Sequence, residues 1–218
     1  MKSADAPMTR VAGTAPITPV AGTAPHALVA PPSRCAGLTA TELLVTMAVA
    51  AILLAVGVPS FSAAILSTRL NTQMSDFHGA LQRARSEAIT RASPVSVCKS
   101  ASGTACTSAG GWEGGWVVFI DGNANGLLDA GETIVRVTGA LLSNYTLRGS
   151  TGLDSVITYK PDGSAQASGY FILCQNNTTS HARGINVNLV GRISSANDAD
   201  ANGIPEDDGG VDYTTCNP

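Results

Sequence analysis

From Leu43 to Thr68 the chain runs for 26 positions without a charged side chain. As an α-helix that run would be roughly 39 Å long, more than the roughly 30 Å hydrocarbon core of a bilayer. A buried helix of a soluble domain is one rival reading, but so long a run with no polar face argues against it. A secretory signal peptide is another, because "SFSAA" (Ser60 to Ala64) has the small residues of a cleavage site. Against that stand the length of the run and an acid, Glu42, just inside its start in "GLTATELLV". A carboxylate at the margin of a membrane helix is costly unless paired, so it reads as functional. A free α-amino group is a suitable partner, and a cut before Leu38 would create one close by.

Gly37, a neutral stretch, Glu42 and an apolar helix together resemble the class III signal of type IV pilins and type II secretion pseudopilins. The resemblance implies that prepilin peptidase cuts between Gly37 and Leu38 and methylates the new N-terminus. It also implies that Glu42, fifth after the cut, neutralises the N-terminal amine of a neighbouring subunit during assembly. Pro59 matches the family's helix-kinking proline; it removes one backbone donor and bends the helix. Leu38 stands where the family usually has Phe, and "TAT" is more polar than its usual continuation. The leader, residues 1–37, is rich in Ala, Pro and Thr, a composition that does not build a packed core.

Charge and cysteine content narrow the classes further. The formal net charge is −3, and residues 1–37 carry three bases and one acid, so the remainder sums to −5. Such a domain has no global attraction for nucleic acid, and binding there would need a local patch. Five cysteines occur, none in a CxxC pair. With Cys35 lost in the leader, Cys98, Cys106, Cys174 and Cys216 remain, an even number that favours two disulfides in an oxidising compartment. Three connectivities exist for four cysteines; Cys98–Cys106 with Cys174–Cys216 is the one that follows local order.

Beyond the apolar run the helical pattern continues. Leu66, Leu70, Met74, Phe77, Leu81, Ala84 and Ala88 form one stripe at spacings of four and three, ending before Pro94. The chain then switches to short β segments broken by Gly, Asn, Asp and Ser: 95–99, 116–121, 133–138, 145–148, 156–160, 170–174, 185–190 and 192–195. One long N-terminal helix packed on antiparallel strands is an α+β layout. "LQRARSEAITRASPVSVCKS", "GGWEGGWVVFIDGNANGLLDAGETIVRV", "YKPDG", "FILC" and "RGINVNLVGRIS" resemble the GspH/FimT family, which contains type II secretion pseudopilins and type IV minor pilins. The resemblance runs from about Gly37 to Ser195. It divides the chain into a leader (1–37), the transmembrane half of the helix (38–66), a periplasmic α+β domain (67–195) and an acidic tail (196–218).

Two segments carry the residue pattern of a calcium loop. In "DGNANGLLDAGE", Asp121, Asn123, Asn125, Asp129 and Glu132 offer oxygens at alternating positions around Gly126, as an EF-hand loop does. β segments rather than helices flank it, and the same residues suit a long hairpin turn. Calcium is therefore a candidate cofactor, and no cofactor is firmly indicated. "DADANGIPEDD" (198–208) repeats the pattern but has Gly209 at the closing position, so 196–218 reads as a solvated acidic tail. "GRIS" bears on nucleic acid. FimT-type minor pilins linked to DNA uptake carry Gly-Arg-x-Arg there, whereas here Ser194 replaces the second arginine, leaving Arg192 and, nearby, Arg183 as the DNA candidates. "NNTT" has the glycosylation pattern at Asn176 and Asn177, a pattern common by chance. Trp112 and Trp116 read as core cover. No nucleophile motif accompanies His26, His78 or His181, so the chain is not expected to be an enzyme.

The expectation is a minor pilin or pseudopilin of a type IV pilus or type II secretion system. Its partners would be prepilin peptidase, other pilins and the inner membrane, with its C-terminal domain in the periplasm. The alternatives are a DNA-binding minor pilin of a competence pilus and a secreted calcium-binding domain cut near Ala63.

Overall fold

The structure, a computed structural model, describes residues 37–218. The leader read over residues 1–37 therefore lies, apart from Gly37, outside the described residues. Two compact units divide the chain, Met1–Ala48 and Val49–Pro218.

In the first unit the chain enters helix α1 (Ala40–Arg91). Thr39 caps it: its carbonyl accepts the Leu43 N–H at 3.1 Å and its Oγ1 accepts the Glu42 N–H at 3.2 Å. Side-chain oxygens at this position satisfy donors that have no partner within the helix.

In the second unit α1 runs on through position 59 and then passes from exposed to buried. The stripe read from the sequence is its buried face: Leu70, Met74, Phe77, Leu81, Ala84 and Ala88 are buried, as is Ala80 beside them, with Leu66 packed at the margin. Eight antiparallel strands follow: β1 (Val95–Lys99), β2 (Trp116–Ile120), β3 (Ile134–Thr138), β4 (Tyr145–Gly149), β5 (Val156–Tyr159), β6 (Gly169–Gln175), β7 (Thr178–Val187) and β8 (Ile193–Ser195). They form two four-stranded sheets, ordered β3-β2-β1-β5 and β4-β6-β7-β8. This is the α+β layout expected.

Alternation along the strands builds three clusters. One set of faces, with Val95, Val97, Trp116, Val118 and Ile157 from the first sheet and Leu147, Phe171, Leu173 and Ile185 from the second, joins the helix stripe in the main core. At its centre Phe77 meets Trp112, Trp116 and Phe171 edge-on, with centroids 4.8 to 5.4 Å apart. Trp112 sits in a short 3₁₀ turn (Trp112–Gly114), and its indole N–H donates to the Leu153 carbonyl at 3.0 Å. The opposite faces each carry a smaller cluster. Cys98, Val117 and Phe119 lie with Cys106 behind the first sheet; Ile172, Cys174 and Ala182 lie with Tyr213 and Cys216 behind the second. Disulfides Cys98–Cys106 and Cys174–Cys216 tie each cover to its sheet.

Two segments differ from the sequence reading. β7 spans Thr178–Val187 rather than 185–190, because Asn176 and Asn177 both take positive φ (51° and 56°) and close a two-residue hairpin between β6 and β7. Leu189 and Val190 fall in the following turn and are exposed. The 196–218 segment is not simply a solvated tail. Tyr213 and Cys216 are buried, Tyr213 stacks on Tyr170 at 4.3 Å, and its hydroxyl donates to Asn186 Oδ1 at 2.6 Å.

Candidate functional site: the N-terminal helix and the loops of the domain

Ala40–Val58 is long and apolar enough to cross a membrane, and none of it is buried inside the structure. Hydroxyls along α1 are turned onto its own carbonyls: Thr46 donates to Leu43 O, Ser62 to Val58 O and Thr68 to Ala64 O, at 2.9 to 3.1 Å. That leaves few unmet polar groups, as a bilayer demands.

Glu42 is exposed, and its place in "TATE" has a local meaning that the sequence reading missed. With Thr39 as N-cap, Glu42 is the third helical residue, the acid position of a capping box, where a carboxylate also meets the positive end of the helix dipole. Gly37 and Leu38 lie before the helix in an exposed, irregular stretch, which suits proteolysis.

The loop from Asp121 to Glu132 is braced by hydrogen bonds of its own. Asp121 is fully buried; its Oδ2 accepts the Ser96 hydroxyl at 2.6 Å and the Gly126 N–H at 2.8 Å, and its Oδ1 accepts the Asn125 N–H at 3.1 Å. Since Ser96 gives its one proton to Asp121, the Thr158 hydroxyl, 2.7 Å away, donates to Ser96. Asp129 Oδ2 accepts both Asn123 and Asn125 side-chain amides, while Glu132 accepts the Gly122 and Asp129 N–H groups. Asp121 thereby links the loop to β1 and β5. Among the described residues, three carboxylates converge elsewhere: Asp198, Asp200 and Glu206 bring oxygens within 4.8 Å of one another. Those are the donors a hard divalent cation takes, and Glu206 supplies the third acid although position 209 is glycine. Both Glu206 oxygens already accept the Ala199 N–H.

The arginines considered for DNA separate in space and role. Arg183 is engaged: Nε donates to Asn71 Oδ1 at 2.6 Å, Nη2 to Ser67 Oγ at 3.1 Å, and Nη1 to the carbonyls of His181 and Ala182. It fastens β7 to α1 and has little left for a phosphate. Gly191, the first residue of "GRIS", is required by packing: φ is +75°, and a Cβ there would collide with the Gly163 carbonyl oxygen. Arg192 alone stays exposed, and its guanidinium has no hydrogen-bond or ion-pair partner among the described residues. A half-buried ion pair, Arg148–Glu113, which also takes the Leu147 N–H, pins the Trp112 turn to β4.

The family model for the type II transport protein GspH matches residues 73–191, just over half of the chain. The chain belongs to the GspH family. Its members are structural subunits, not enzymes, and membership implies assembly with other pilins. Among solved structures, the type IV minor pilin FimU of Pseudomonas aeruginosa strain PAO1, in space group P21, is 18% identical. The match covers 68% of this chain and 96% of that one, with a TM-score of 0.51. The same protein in space group P65 aligns at 18% identity over 67% and 98%, with a TM-score of 0.47. At 18% identity the match in space group P21 speaks for the fold, a long N-terminal helix followed by antiparallel sheets. No curated protein matches the chain. The GspH match covers the helix stripe from Met74 onward, both tryptophans and seven of the eight strands, and stops short of β8 and the 196–218 segment that follows.

Proposed function

We propose that this GspH-family chain is a minor pilin or pseudopilin of a type IV pilus or type II secretion system. Prepilin peptidase cuts it between Gly37 and Leu38 and methylates Leu38. The apolar half of α1 then holds it in the inner membrane, with the β domain in the periplasm, until extraction into a filament. In the filament Glu42 faces the N-terminal amine of a neighbour, so that each charge supplies what the other lacks in an apolar bundle. Family membership together with the wholly exposed apolar helix Ala40–Val58 is the observation that carries this reading. An exposed apolar surface of that length is stable only in lipid or against other such helices.

Glu42→Val tests the assembly step. The variant is expected in the membrane, processed and folded, yet missing from sheared filaments or secretion pseudopili. Incorporation equal to that of the parent chain would remove Glu42 from the assembly account.

A further inference from the structure

We propose that the groove between the C-terminal end of α1 and strand β8 docks an acidic segment of a different, neighbouring subunit, an inference that rests on the filament reading above. The groove encloses about 480 Å³ and is lined by Arg85, Ile89, Arg192 and Ile193 among others, with two arginines and no acid. That sign is the opposite of the domain's, which carries the −5 left after the leader's charges are set aside.

The groove is built rather than accidental. Arg85 Nε donates to the Gly163 carbonyl at 2.9 Å and its Nη2 to the Val190 carbonyl at 3.2 Å, so one side chain ties both loops to α1. Gly191 allows those loops to touch, since any Cβ would strike the Gly163 carbonyl. Arg85 keeps Nη1 without a partner among the described residues, and the Arg192 guanidinium is wholly unengaged among them. Beside these cations stand exposed aliphatic groups, Ile89 at 51% and Val190 at 71% exposure.

A pair of guanidinium groups beside aliphatic surface fits a carboxylate-bearing peptide with an adjacent aliphatic residue. It suits a phosphate backbone poorly: a strand charged at every residue would run on from Arg192 past Glu206, Asp207 and Asp208, whereas a single carboxylate can pair in the groove, whose own lining holds no acid, and stop short of them. The acidic lobe of a second copy is a poor occupant too. Its carboxylates are engaged within the lobe: Asp198 with the Asn202 and Gly203 N–H groups, Asp207 with those of Gly209 and Val211, Asp212 with the Asn202 amide.

The test places a benzophenone photo-crosslinker at Thr90, on the groove wall, in the full chain expressed in the cells that make it, with Ile52 as a control position on the apolar helix. The expected adduct is with another subunit bearing an apolar N-terminal helix, through a peptide containing Asp or Glu. Arg192→Glu should lower its yield at least roughly tenfold, the scale of a lost charge-assisted contact. Ser86→Trp, which fills the groove from an exposed position, should do the same, and a lysine at the crosslinked acid should restore the adduct of Arg192→Glu. An adduct removed by nuclease, one with residues 198–212 of a second copy, or one unaffected by Arg192→Glu would overturn the proposal. So would silence at Thr90 while Ile52 still crosslinks to other subunits. Silence at both positions would defeat the filament reading and this docking site with it.

Discussion

The two disulfides close loops of very different length, 8 residues for Cys98–Cys106 and 42 for Cys174–Cys216. If a cross-link acts by restricting the unfolded chain, the first is worth about 2.5 kcal/mol and the second about 4 kcal/mol. The second also holds a cover over Ile172 and Ala182, and that cover is bonded to β7 through Tyr213 and Asn186. Cys174 and Cys216 replaced together by Ala should therefore lower the urea midpoint of the detergent-solubilised chain by about 2 M, for a slope near 2 kcal/mol per molar. The Cys98 and Cys106 double variant should lose roughly 1 M. Trp112 and Trp116, buried against Phe77, report core unfolding by fluorescence. Limited proteolysis run in parallel shows whether the 196–218 lobe leaves first. A midpoint unmoved by the Cys174/Cys216 change, with the lobe cleaved from an otherwise intact domain, would refute the claim that lobe and second sheet form one cooperative unit.

Two further outcomes follow from named contacts. Burial, then the Asp207 charge, pushes the Tyr213 hydroxyl above its ordinary value of 10, and burial does the same to Tyr159. Each adds stability that is fully present below pH 10 and is lost as pH rises beyond it, because only the unfolded state then releases the proton. Denaturation midpoints at pH 8 to 11 should fall above pH 10, and less steeply in Tyr213→Phe; parallel curves would deny the assignment. Arg183→Ala, which cuts the bonds to Asn71 and Ser67, should cost about 1 to 2 kcal/mol in thermal unfolding. It should leave any DNA retention unchanged, and a loss of retention without a loss of stability would contradict the structural role given to Arg183.

Much of the fold is legible in the sequence because its signals are periodic. The stripe from Leu66 to Ala88 is the buried face of α1, and β1 has the limits read from the sequence, Val95 to Lys99. What stayed hidden lies where backbone rather than side-chain pattern decides. Thr178 to Ala182 lie in none of the strands read from the sequence, yet they belong to β7, because two consecutive asparagines tolerate the left-handed turn that joins it to β6. "NN" between strands was the available signal, masked by its second meaning as a glycosylation pattern. The lobe was hidden for a different reason. Six acids suggest a solvated tail, but Tyr213 and Cys216 anchor it, and backbone N–H groups absorb much of its charge. At the candidate site, Glu42 was found from its cost in a membrane, while its partner Thr39 was not, since capping boxes are sought in soluble helices.

The most direct test of the account is intact mass and N-terminal sequencing of the protein purified from its native membrane. A chain that begins at N-methylated Leu38 and retains the whole of α1 is the result predicted. A chain that begins near Ala64 would have lost both Glu42 and the apolar helix. It would contradict the filament account and favour a secreted domain whose Asp/Asn loops bind calcium.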